Sequence, residues 1–225
     1  MEGAGLQNLS EKKARLQDLF ARWENAIPAY NGKFTSDGII NEELYINSNP
    51  KILFLLKEPN DEDQNKWDMV QWMNEVGPKG NFGARIAEWA YGFHNDFPPL
   101  SKLTDSTAMA TAFRSVAILD IKKTGGGANS DVNEILKHAE QNKEFIHEQI
   151  NIIAPDIIVG GTGVSRMWNV IFPELQLIKS DYDILYGRHG KFKVIDFYHP
   201  SYQVPRAMSY GLLKHVVHSE GFRSV

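Results

Sequence analysis

Four short apolar runs constrain this chain more than any other feature, because each ends at a polar segment rich in proline or glycine. Residues 52–56 (Ile-Leu-Phe-Leu-Leu) lead into Lys57-Glu58-Pro59-Asn60-Asp61, and residues 115–121 (Ser-Val-Ala-Ile-Leu-Asp-Ile) into Lys122-Lys123-Thr124-Gly125-Gly126-Gly127. Residues 156–160 (Asp-Ile-Ile-Val-Gly) run into Gly161-Thr162-Gly163, and residues 192–197 into Tyr198-His199-Pro200-Ser201-Tyr202. Unbroken apolar runs of this length read as strands buried on both faces, and strands separated by helices make a mostly parallel sheet. The expected fold is α/β: a three-layer α/β/α sandwich with a central, mostly parallel four-stranded sheet. In such sheets the ligand cleft lies beyond the carboxyl ends of the strands, so the four polar segments should converge on one edge.

The remaining sequence reads as parts of one domain spanning residues 1–225. Residues 1–50 are expected to form an N-terminal helix and a connecting region. Leu16, Leu19, Phe20 and Trp23 repeat at helical spacing over residues 9–23, with Ser10 as N-cap. Pro28, Gly32, Gly38 and Pro50 then punctuate a stretch with little regular structure. Residues 60–112 read as an insertion of two or three helices, with Trp67, Trp72 and Trp89 expected in core or helix packing rather than as stacking platforms. Ser130 is placed as the cap of a helix, and residues 142–153 as further helix. Residues 174–187 read as irregular or antiparallel, and residues 203–219 as a closing helix.

Composition narrows the function. With no cysteine, the chain holds no disulfide, thiolate nucleophile or cysteine-bound iron–sulfur cluster. That count fits a reducing compartment, and a cytoplasmic location is expected. No apolar stretch approaches the roughly 20 residues that span a bilayer, and no basic, apolar secretory leader opens the sequence. The net charge is −4, whereas tight non-specific duplex binders carry a basic surplus. The basic stretch from Arg188 to His215 reads as a solvated face.

Each polar strand end offers a chemical role beside a structural one. Pro200 fixes its own φ and holds His199 extended, so the imidazole is presented rather than wound into a helix. There it can donate to a developing oxyanion, or bond to backbone. Glu58 can activate a water or stabilise positive charge, or else cap a helix or pair with Lys57. Ser201 suits a phosphate contact or the N-cap of the last helix. Lys122 and Lys123 flank a loop where Gly125 and Gly126 can bring amides to a phosphate, or which is simply a surface loop. Gly161 and Thr162 sit at a helix start that suits an anion, or tight strand–helix packing. No phosphate-loop ending, His-Glu-x-x-His, Gly-x-Ser-x-Gly or metal-ligand cluster occurs, and no metal or cofactor is expected.

Taken in order, these segments resemble the uracil-DNA glycosylase superfamily. Leu56-Lys57-Glu58-Pro59-Asn60 stands where that superfamily carries a glycine-x-acid/amide-proline motif, and His199-Pro200-Ser201 matches its second signature. Residues 115–127 resemble its second strand and following loop. Residues 148–161 resemble the helix, third strand and glycine turn between the signatures. The resemblance implies a glycosylase that flips a damaged or deaminated base out of DNA and cleaves its N-glycosidic bond without metal. It assigns water activation to Glu58 and support of the departing base to His199. Asp120, or a neighbour at that strand end, would read the flipped base, and Tyr202 is the candidate wedge. Lys57, Asn60, Lys122, Lys123, Gly125, Gly126, Gly161, Thr162 and Ser201 would complete the substrate contacts. Two positions depart from the pattern: Leu56 replaces the motif glycine, and Asp120 stands where an asparagine is usual. A non-catalytic nucleotide- or nucleic-acid-binding module on the same fold is the alternative, and a protein-interaction domain using the aromatic 60–100 stretch is a third. DNA is the expected partner, a membrane is not, and oligomeric state is left open.

Overall fold

The computed structural model describes residues 2–127 and 129–225, with residues 2–10 described by backbone alone. In chain order the elements are α1 (Glu2–Ala26), β1 (Thr35–Ser36), β2 (Gly38–Ile39), α2 (Glu42–Ile46), β3 (Ile52–Leu56), β4 (Trp67–Asp68) and α3 (Met69–Val76). There follow α4 (Gly80–His94), α5 (Ser106–Arg114), β5 (Ala117–Asp120), α6 (Val132–Ile153), β6 (Ile157–Gly160) and α7 (Arg166–Ile171). The chain closes with β7 (Leu177–Lys179), β8 (Leu185–His189), β9 (Phe192–Asp196), α8 (Arg206–His218) and α9 (Glu220–Ser224).

The four apolar runs become β3, β5, β6 and β9, and they pair in parallel in the order β5-β3-β6-β9. The sheet is wider than the four strands expected. It has seven, with β2 antiparallel on β5 at one edge and the β8 and β7 meander antiparallel beyond β9 at the other. All side chains of β3, β5 and β6 are buried, as strands covered on both faces require. Alternation along β3 sends Ile52, Phe54 and Leu56 into a core with α3, α4, α5 and α8. Leu53 and Leu55 face the opposite core, built from α1, α6 and α7. Helices therefore cover both sheet faces.

Local signals explain most departures at the element ends. Helix α1 runs from Glu2, so residue 10 lies within it; Ser10 as a cap concerns a side chain outside the described residues. Asp131, not Ser130, caps α6, its Oδ1 accepting from the Asn133 amide at 2.8 Å. That helix is continuous from Val132 to Ile153. Helix α8 begins after Pro205 with no side-chain cap, so Ser201 does not cap it. The region expected to lack regular structure holds β1, β2 and α2, and β2 supplies an edge strand. Among the described residues, no helix is long and apolar enough to cross a membrane.

Candidate active site at the carboxyl ends of the parallel strands

The ladder between β3 and β5 continues past both strands. The Ile121 amide donates to the Leu56 carbonyl at 3.1 Å, Lys122 to Lys57 at 2.9 Å, and Gly126 to Pro59 at 2.9 Å. The Asp61 amide returns a bond to the Gly126 carbonyl at 3.1 Å. Backbone and side chains thus meet closely. A Cβ on Gly125 would overlap the Asp61 carbonyl, and one on Gly126 would overlap the Glu58 carboxylate. The glycine loop therefore packs against the motif after β3, and the Gly126 amide, expected at a phosphate, is already used.

Beside this double segment lies a cavity of about 610 Å³. Of the expected residues, Glu58, Asn60, Asp120, His199 and Ser201 line it together, drawn from the ends of three strands. Trp67, Trp72 and Phe82 form aromatic walls, with Asp61, Met69 and Met73 filling between them. The two indoles meet edge to face at 5.9 Å, and the Phe82 ring lies 6.0 Å from that of His199. Leu56 also lines the cavity. Room for it comes from Gly161, where a Cβ would sit 2.9 Å from Leu56 Cδ2 and 3.1 Å from His199 Cα. Gly161 is thus a packing glycine, and its amide donates to Leu55 at 2.9 Å rather than to a ligand.

The ionisable groups are held in distinct states. Glu58 Oε2 accepts from Lys122 at 2.7 Å, and both side chains are buried; Lys122 also reaches Glu134 at 3.0 Å. Burial opposes the Lys122 charge, but the two carboxylates outweigh it and raise its pKa. Lys123, expected at a phosphate, is wholly buried instead. It pairs with Asp37 at 2.6 Å and lies 4.8 Å from the Trp23 ring centroid. Burial lowers its pKa while the Asp37 carboxylate opposes that fall. Asp37 further accepts from the Asp120 amide at 2.7 Å and Gln149 Nε2 at 2.6 Å.

Asp120 is therefore a second acid beside an occupied one. Burial, then the Asp37 charge, push its pKa well above the ordinary carboxylate range. Its Oδ1 is buried with no hydrogen-bond partner among the described residues. His199 Nδ1 accepts from the Ser201 amide at 3.1 Å, which places the ring proton on Nε2. Burial, reinforced by the Lys57 charge, pushes His199 down to about 4, so the ring is neutral.

Besides Lys122, Lys123, Gly125, Gly126 and Gly161, three more expected residues stand outside the cavity lining. Lys57 is half-buried near His199. Thr162 is buried, its Oγ1 accepting from the Val164 amide at 3.3 Å, which turns it into its own loop. Tyr202 is exposed and stacks on Tyr198 at 5.6 Å. Arg85 braces that loop by donating to the Tyr202 carbonyl at 2.6 Å and to the Val204 carbonyl. Sequence reasoning missed Asp37, Arg85 and Phe82; Trp67 packs on the core as expected, and with Trp72 it also lines the cavity. Compared with protein-family models and with curated proteins, the chain matches none. Among the described residues, no three His, Asp or Glu side chains are grouped as a metal site requires. The cavity can therefore offer an imidazole N–H, a buried carboxyl with one unpartnered oxygen, and the Glu58 carboxylate, between aromatic faces.

Proposed function

We propose that this cavity binds a nucleobase and hydrolyses its N-glycosidic bond, on a fold of the uracil-DNA glycosylase type. One observation carries the reading: Glu58, Asp120 and His199, from three strand ends, line one aromatic-walled cavity. The bond from sugar carbon to base nitrogen breaks with its electron pair leaving on the base. The neutral His199 donates its Nε2–H to the carbonyl oxygen where that charge collects. Glu58 stabilises the cationic sugar and directs a water to it; the water's proton replaces the sugar on the base. Asp120, whose burial favours the protonated acid, pairs with the donor and acceptor on the edge of uracil or a similar deaminated base. Stacking on Trp67, Trp72 or Phe82 contributes about 1–3 kcal/mol per base. The resemblance puts that base in DNA; the cavity specifies only base and sugar.

The Glu58–Lys122 pair favours a second reading, a binding module without hydrolysis, because it occupies one carboxylate oxygen. Base release from nucleosides and oligonucleotides carrying uracil, hypoxanthine or xanthine separates the two. Hydrolysis is expected from the wild type, and a loss of at least a hundredfold in Glu58→Gln and His199→Ala. Binding without release from any substrate, by folded protein, would establish the module instead.

A further inference from the structure

We infer that the ligand of this cavity is an uncharged mononucleoside rather than a polynucleotide, an inference that rests on the N-glycoside reading and names its substrate class. Phosphate recognition needs cations or free amides aimed at the ligand, since phosphate contacts supply most of the affinity for a nucleic acid. Most groups the sequence offers for that purpose near the cavity are otherwise engaged, the Lys57 ammonium and the Ser201 hydroxyl excepted. Lys122 is consumed by Glu58 and Glu134, and Lys123 by Asp37. The Gly126 and Gly161 amides donate to Pro59 and Leu55. Arg85 is spent on the loop carbonyls of Tyr202 and Val204, and Arg206 on Glu88 at 2.7 Å.

The described residues of the lining offer a polyanion no cation, since Lys122 is turned onto the Glu58 carboxylate and Asp61 stands beside it. Among the described residues, the ionisable side chains lining it are Glu58, Asp61, Asp120 and His199, and no lysine or arginine joins them. Glu62 and Asp63 follow directly at the surface. Such a rim repels a strand of phosphates and is indifferent to an uncharged sugar and base. The interior nevertheless asks for a polar ligand. Asp120 is 2% exposed, lines the cavity and leaves Oδ1 unpartnered, which a lactam edge of a base would satisfy.

Calorimetric titration and base-release assays test this with 2′-deoxyuridine, 2′-deoxyinosine, and single- and double-stranded oligonucleotides carrying the same bases, at 50 and 200 mM salt. A nucleoside should bind and be hydrolysed with constants that change less than twofold with salt, and no oligonucleotide should bind tighter. Glu62→Lys/Asp63→Lys should improve oligonucleotide binding at least tenfold and leave nucleoside binding unchanged. An oligonucleotide that wild type binds tenfold tighter than the nucleoside, with affinity falling steeply with salt, overturns the inference and leaves the glycosidase reading standing. Failure of folded protein to bind or cleave any probe overturns both.

Discussion

Lys122 and Lys123 are adjacent in the chain, and each is ion-paired, yet they do different work. Lys123 and Asp37 are 0% and 1% exposed in their side chains, inside a cage closed by Gln149, the Asp120 amide and Trp23. Lys122 and Glu58 are 7% and 5% exposed, and the pair reaches out to Glu134, half exposed at 49%. One pair fixes the loop to the body; the other fixes a carboxylate at the cavity. Neighbouring residues past a strand end point apart, so one dipeptide ties the same loop to two partners. Two identical side chains thus differ in function because of what lies 86 and 64 residues away in sequence.

The comparison is broken most directly at Asp37. Asp37→Ala leaves the Lys123 charge buried without a partner and should cost about 3–5 kcal/mol of stability, read by urea unfolding. Asp37→Leu with Lys123→Met should recover most of that loss; a single substitution costing under about 1 kcal/mol would deny the pair its structural role. Lys122→Met should cost less, about 1–3 kcal/mol, since Glu58 keeps some access to solvent. Its larger effect should fall on base release, which Lys122→Arg should restore; unchanged release in Lys122→Met would show that Glu58 needs no holding. The smallest effect concerns a third lysine, Lys57, whose charge adds to burial in depressing His199. The folded pKa of about 4 lies below the ordinary 6.5, so the unfolded chain takes the proton first. Stability contributed by His199 is therefore full above pH 6.5 and declines as pH falls towards 4, then levels off. An imidazole titration by NMR with a midpoint near 6.5 would contradict that environment.

The cavity-forming strands were legible because a strand buried on both faces needs an unbroken apolar run, and Pro59 and Pro200 mark where each polar end begins. Edge strands leave no such trace. Gly38 and Ile39 pair with β5 over two residues, too few for any pattern. The antiparallel β7 and β8 lie in and just beyond residues 174–187, which read as irregular or antiparallel, so that side of the sheet was partly legible. Glu58, Asp120 and His199 were found because strand direction alone sends their segments to one edge. Lys122 and Lys123 read as phosphate contacts because they flank a glycine loop, and the carboxylates they pair with are distant in sequence. Trp67 and Trp72 share a helix entry with Met69 and Met73, and composition alone cannot tell a cavity wall from a core.

The position of β9 has a consequence for the order in which the molecule is made. Although last of the described strands to leave the ribosome, it lies between β6 and β8, not at an edge. Until residues 192–196 emerge, β6 presents the bare backbone of an all-apolar strand, and the β7–β8 ribbon has nothing to join. Such an open edge is a template for pairing with another chain. Completion of the sheet and delivery of His199 are therefore one event: the insertion that seals the nascent edge also carries the last side chain into the cavity.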